Sequence, residues 1–218
     1  MSATHPNLHA RWDALCARVG AFKKADESDL TFEMLSTLYA HPPRAYHNLD
    51  HIAQVLAEFD SASRLAADRD AVEFALWLHD CVYYPLRGDN EERSADAAAM
   101  IAGLLGCAPD FAETVRACIM ATRHSALPGR GDPSLVADLD LTVLAADPGT
   151  YDAYRAAIRA EFAFASDEAF NAGRLAFLKR MIDKDRIFAT EFFAKTHESK
   201  ARKNLYREMD SLERPGGG

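Results

Sequence analysis

The sequence predicts an all-α protein, a single-domain helical bundle. Alanine is abundant while valine and isoleucine are sparse. Apolar residues recur at intervals of three and four, the helical period, and no run alternates cleanly as a strand would. The length, 218 residues, suits one domain with a real core and would make two cramped.

The pattern predicts helices over 7–20, 28–40, 48–60, 69–80, 90–105, 109–122, 134–145, 148–163, 167–182 and 191–212, the last with a break near 195–197. Pro42-Pro43 closes the second helix. Asp89-Asn90-Glu91-Glu92 opens another, with an acidic cap and a Glu three residues on. Pro109 and Pro148 suit first-turn positions, where the missing N–H costs nothing. The clearest loop is 127–133, and 215–218 reads as a frayed tail. No repeat and no long linker appears, so 1–218 is expected to be one unit, with a motif core at about 30–145 and outer helices at 148–212.

The net charge is −8. A general nucleic-acid binder usually carries a basic surface, so none is expected here. Cys16, Cys81, Cys107 and Cys118 make no C-x-x-C pair and read as reduced, mostly buried thiols. Residues 1–18 lack an apolar core followed by a cleavage site, and no apolar run approaches the ~20 residues that span a bilayer. A cytoplasmic protein with no membrane partner is the expectation.

Three stretches carry chemistry. In Tyr46-His47-Asn48-Leu49-Asp50-His51, the histidines are four apart and would share a helix face. Both imidazoles can bind a metal, or one can bind while the other acts as an acid. Ala75-Leu76-Trp77-Leu78-His79-Asp80 is an apolar helix ending in His-Asp, and a core helix avoids burying a carboxylate unless it is paired or bound to a metal. In 135–145, Asp138 and Asp140 interrupt an apolar helix and point to different faces, so one of them is a candidate ligand. The order His, His-Asp, Asp, each on an apolar helix, is more specific than any part. His51, His79, Asp80 and Asp140 offer two nitrogen and two oxygen donors, a set that suits Mn, Mg, Fe, Ni or Zn.

On these residues the chain resembles the HD superfamily of metal-dependent phosphohydrolases, and within it a bacterial group of similar length, over about 30–208. The resemblance implies the HD helical architecture, a divalent metal ion as cofactor, and Asp140 rather than Asp138 as the last ligand. Tyr46-His47-Asn48-x-x-His51 is also similar to the signature of the cyclic nucleotide phosphodiesterases. That likeness implies His47 as the acid that protonates the leaving oxygen and His51 as a ligand. Ala121-Thr122-Arg123-His124 is similar to a threonine-and-histidine helix of the same family, which would put His124 at the pocket. The likeness departs after Asp80, where Cys81-Val82-Tyr83-Tyr84-Pro85 replaces a histidine, proline and glycine. A second metal site and a cyclic nucleotide substrate are therefore not implied.

The expected function is metal-dependent hydrolysis of a phosphate ester or anhydride, with a nucleotide or small phosphorylated metabolite as substrate. His47 and Asp80 would be the catalytic groups, Asp80 as ligand and orienter of water. Arg44, Arg123 and Arg130 lie near the motifs or in the long loop, and arginine's planar fork suits phosphate. Glu91 could reach the metal's surroundings, with Glu92 capping its helix, and Tyr83 and Tyr84 could wall the pocket. Arg155, Arg159 and Glu161 have spacings that allow ion pairs along one helix. The alternatives are an HD-type di-iron oxygenase, with His47 and His124 as extra ligands, or a non-catalytic metal- or nucleotide-binding module. Homo-oligomer formation stays open.

Overall fold

The computed structural model describes residues 6–20, 26–125 and 129–213. Among them it is all-α: α1 (Pro6–Val19), α2 (Asp26–Ala40), α3 (Leu49–Ala62), α4 (Arg69–Leu78), α5 (Asn90–Leu104), α6 (Pro109–Ala121), α7 (Asp132–Asp140), α8 (Pro148–Glu161), α9 (Asp167–Ile182), α10 (Glu191–Thr196) and α11 (Glu198–Glu213). No described helix is long and apolar enough to cross a membrane. The expected loop at 127–133 falls partly, and the tail at 215–218 wholly, outside the described residues.

α4 is the axis of the bundle. Every residue from Ala71 to Leu78 is buried, as in a helix that is apolar all round. It packs against α1, α3, α5, α6 and α7. Trp12 of α1 lies 5.6 Å from Phe74 and 5.4 Å from Trp77, ring centre to ring centre, and its Nε1 donates to Thr31 Oγ1 at 2.9 Å. The one acid on α4's buried stretch, Glu73, takes Arg11 at 2.7 Å and Arg18 at 2.9 Å, so its charge is paired rather than stranded. The C-terminal layer is tied in another way. Glu208 of α11 accepts from Arg174 of α9 at 2.8 and 3.1 Å and from Tyr151 of α8 at 2.5 Å.

Several boundaries follow from side chains. Asn48 caps α3, Asp68 caps α4, Asp147 caps α8, Ser166 caps α9 and Thr190 caps α10. Pro109 and Pro148 occupy first-turn positions as expected, and the last helical stretch breaks at His197.

Four expectations are corrected. His47 does not share a helix face with His51, because the Asn48 side chain accepts from the N–H groups of Asp50 and His51 and starts the helix after His47. The 134–145 helix is α-helical only to Asp140 and then tightens into a 3₁₀ turn over Leu141–Ala145. Asp89 does not cap α5 through its side chain, which is held by Arg87 at 2.6 Å and Arg93 at 2.8 Å. Glu161 makes no pair within α8, since Arg155 turns to Asp152 and Glu208 and Arg159 to Asp167.

Replacing Trp12 with alanine is expected to destabilise the fold by about 3–5 kcal/mol through the cavity it leaves between α1 and α4. The denaturant midpoint checks this.

Candidate metal centre

Four side chains from three elements meet in the interior. α3 carries His51, one turn after the Asn48 cap. α4 ends at Leu78, and His79 follows in helical conformation at φ −58°, ψ −34°. Its Nδ1 donates to the Leu76 carbonyl at 2.9 Å, which turns Nε2 inward. Asp80 lies in the next turn, so adjacent residues reach one point where a continuing helix would separate them. Asp140 stands where α7 gives way to the 3₁₀ turn.

The donor atoms converge. His51 Nε2 lies 3.2 Å from His79 Nε2, 3.4 Å from Asp140 Oδ1 and 3.8 Å from Asp80 Oδ2. His79 Nε2 lies 3.2 Å from Asp80 Oδ2 and 3.4 Å from Asp140 Oδ1. All four ligand atoms fall within 4.8 Å of one another. An ion bonded to nitrogen and oxygen at about 2.0–2.2 Å sets neighbouring donors about 3.0–3.5 Å apart, so the cluster fits a divalent cation.

The charges agree. Burial resists ionisation of Asp80, yet the charge and hydrogen bond of His79 hold its carboxyl far below the usual range. Burial resists that of Asp140 too, and bonds from His124, His51 and His79 overcome it. Burial lowers His51. It also works against a charged His79, but Asp80 and Asp140 drive that ring well above its ordinary value. Two half-buried carboxylates thus draw a proton onto an imidazole, the countercharge that a cation would supply.

His47 lies beside this cluster and is fixed by Glu161, the last residue of α8. Glu161 Oε2 takes His47 Nδ1 at 2.7 Å and the Tyr83 hydroxyl at 3.0 Å. Its Oε1 takes the backbone N–H groups of Tyr46 at 2.7 Å and His47 at 2.9 Å. Tyr83 stacks on the His47 ring at 4.0 Å. Burial disfavours a charged His47, but the Glu161 bond and the charges of Asp80, Glu161 and Asp140 raise its pKa. With Nδ1 engaged, Nε2 is the ring nitrogen turned away from Glu161.

The other expected site residues fall differently. His124, at φ +51°, donates from Nε2 to Asp140 Oδ2 at 2.8 Å and so orients the carboxylate whose other oxygen faces the histidines. Lys184 holds the His124 carbonyl at 2.9 Å. Arg44, expected at a phosphate, spends its guanidinium on the carbonyls of His47, Asp80 and Cys81 at 3.0, 2.6 and 3.0 Å, bracing the His-Asp turn. Arg123 pairs with Glu92 and reaches the Gly88 carbonyl, so Glu92 serves that ion pair rather than a cap. Glu91 is half-buried on the cleft that also holds His47 and Tyr83, and burial pushes its carboxyl up. Tyr84 and Arg130 are exposed.

Asp138 is not in the cluster. Two helical residues lie ~200° apart around the axis, and Asp138 points to the start of α10, where it accepts from Ala189 N, Thr190 N and Thr190 Oγ1 at 2.6–2.7 Å. Sequence reasoning missed Glu161 as the partner of His47. The signal was there: Tyr151, Tyr154 and Ile158 form the buried stripe of α8, and Glu161 occupies its next position.

Asp138→Ala and Asp140→Ala should therefore separate. The first strips acceptors from three donors, on the order of 1–3 kcal/mol for each left unsatisfied, and leaves metal binding in whatever folds. The second removes metal binding. Denaturant titration beside metal analysis of the two proteins checks both. Comparison with family models, with curated proteins and with solved structures finds no match for this chain.

Proposed function

We propose that this chain is a metal-dependent phosphohydrolase of the HD type, acting on a phosphate ester or anhydride of a nucleotide or small metabolite. The observation that carries the reading is the pairing of two arrangements: four converging donors fit for a divalent ion, and beside them a histidine locked at Nδ1 by a fully buried glutamate. Motif order supports it, since His51, His79-Asp80 and Asp140 follow the HD pattern.

His51, His79, Asp80 and Asp140 hold the ion. When bound, a divalent metal polarises a phosphoryl oxygen and makes water a stronger acid. Asp80 orients the attacking water, whose proton passes to bulk solvent. The water oxygen forms a bond to phosphorus as the bond to the leaving oxygen breaks, and His47 Nε2 passes a proton to that oxygen. Glu161 keeps His47 in the protonated form that this step consumes, and Arg44 holds the Asp80 turn in place. His124 fixes the rotation of Asp140.

Freshly purified wild type is expected to carry near-stoichiometric divalent metal, and Asp80→Ala to lose it with all activity. Metal absent from wild type even after reloading with Mn, Mg, Fe, Ni and Zn in turn would overturn the reading. His47→Ala should keep its metal while turnover falls by about 10²–10⁴-fold, the usual worth of a positioned acid; loss of metal in that variant would make His47 a ligand. Activity should decline as pH rises through the His47 pKa. Glu161→Gln removes the carboxylate that raises it, so that alkaline decline should move to lower pH in a pH–rate profile.

A further inference from the structure

His47 also lines a second feature, a cleft of about 610 Å³ shared with the 83–86 loop, the start of α5, α8, α9 and the turn between the last two. A phosphate group needs only a small part of that volume, which falls in the range of small-molecule sites. One wall is ring-lined, with Phe162, Phe170 and Phe177 beside Ile158. The other carries Tyr83 and Leu86. Leu86 is 82% exposed and Phe164, at the same mouth, is 57% exposed, although both are large apolar side chains. Contiguous exposed apolar surface on a folded domain marks an interaction site. Arg180 and Arg174 lie over the Phe177 ring at 5.6 and 4.9 Å, and Arg159 over the Phe170 ring at 4.9 Å, so guanidinium planes are stacked into this wall.

The position of His47 says which half of a substrate belongs there. The oxygen that His47 protonates stays with the departing group, so whatever that oxygen carries extends past His47, away from the four metal-facing donors. Ring faces and a guanidinium plane suit a flat, π-bearing body. We propose that the cleft is the leaving-group subsite, and that it takes an aromatic alcohol, with Phe162, Phe170 and Phe177 as its specificity-determining wall. This rests on the phosphohydrolase reading for its chemistry. In the step, water adds to phosphorus, the phosphorus–oxygen bond to the aromatic alcohol breaks, and that oxygen leaves with the His47 proton.

Gly173 provides a test that spares the fold. It lies within α9 on the cleft wall, and a Cβ there meets no atom within 4 Å. Gly173→Leu therefore fills the cleft and relieves a helix-interior glycine. Two measurements are made on metal-loaded wild type, Gly173→Leu and Phe170→Ala: kcat/KM for 1-naphthyl phosphate against methyl phosphate, and calorimetric binding of the non-hydrolysable 1-naphthylmethylphosphonate. Wild type should prefer the naphthyl ester, and both variants should cut that preference by about tenfold or more, the worth of withdrawing ring contacts. They should weaken phosphonate binding alike. Equal turnover of the two esters, or a preference and binding indifferent to both variants, would overturn the subsite and leave the hydrolase standing. Phosphonate binding lost in Gly173→Leu, with neither ester hydrolysed by wild type, would uphold the subsite and sink the hydrolase. Neither binding nor turnover would sink both.

Discussion

Two carboxylates and two imidazoles share one small volume between α3, α4 and the end of α7, and the rest of the arrangement follows from that confinement. Charges of one sign cannot sit together in a low-dielectric interior without a countercharge. Here each neighbour contributes to that balance. His79 draws a proton, His124 braces the far oxygen of Asp140, and Arg44 grips the carbonyls of the turn that carries Asp80. The helices could bury the same apolar area in other registers. The register observed brings four polar side chains to a common point.

The helices were largely legible because a clear apolar period marks α3, α4, α8 and α11 and several caps are chemical. Asn48, Asp68, Asp147 and Ser166 each accept from the first turn that follows. The four candidate ligands were legible by order and by residue type. What escaped was the direction of polar side chains across the bundle. Spacing tells which residues share a helix face, but not whether a charge finds its partner nearby or over a hundred positions away. Glu161 was read as a partner for Arg155 or Arg159 and instead reaches His47. Arg44 and Arg123 were read as phosphate ligands and are held by backbone carbonyls and by Glu92. Spacing alone did not choose between Asp138 and Asp140, the resemblance favoured Asp140, and the helix rotation and the 3₁₀ turn place Asp140 with the cluster.

One device recurs. A carboxylate grips two consecutive backbone N–H groups on a distant segment: Asp132 those of Ala67 and Asp68, Asp138 those of Ala189 and Thr190, Glu161 those of Tyr46 and His47, and Glu198 those of Ile187 and Phe188. Each grip satisfies donors that a turn or a helix start leaves without partners. It does so with a charged acceptor, whose hydrogen bonds are stronger than neutral ones. These contacts set loops that apolar packing alone would leave free to slide. The segment carrying His47 is one of those so held.

The distance in sequence between His47 and Glu161 has a consequence for how the chain comes into being. Synthesis proceeds from the N-terminus, so all four converging donors have been made once Asp140 has, while the acid that fixes His47 is still to come. The converging donors are thus written into the front two-thirds of the chain, and the carboxylate that positions His47 into the helices that follow.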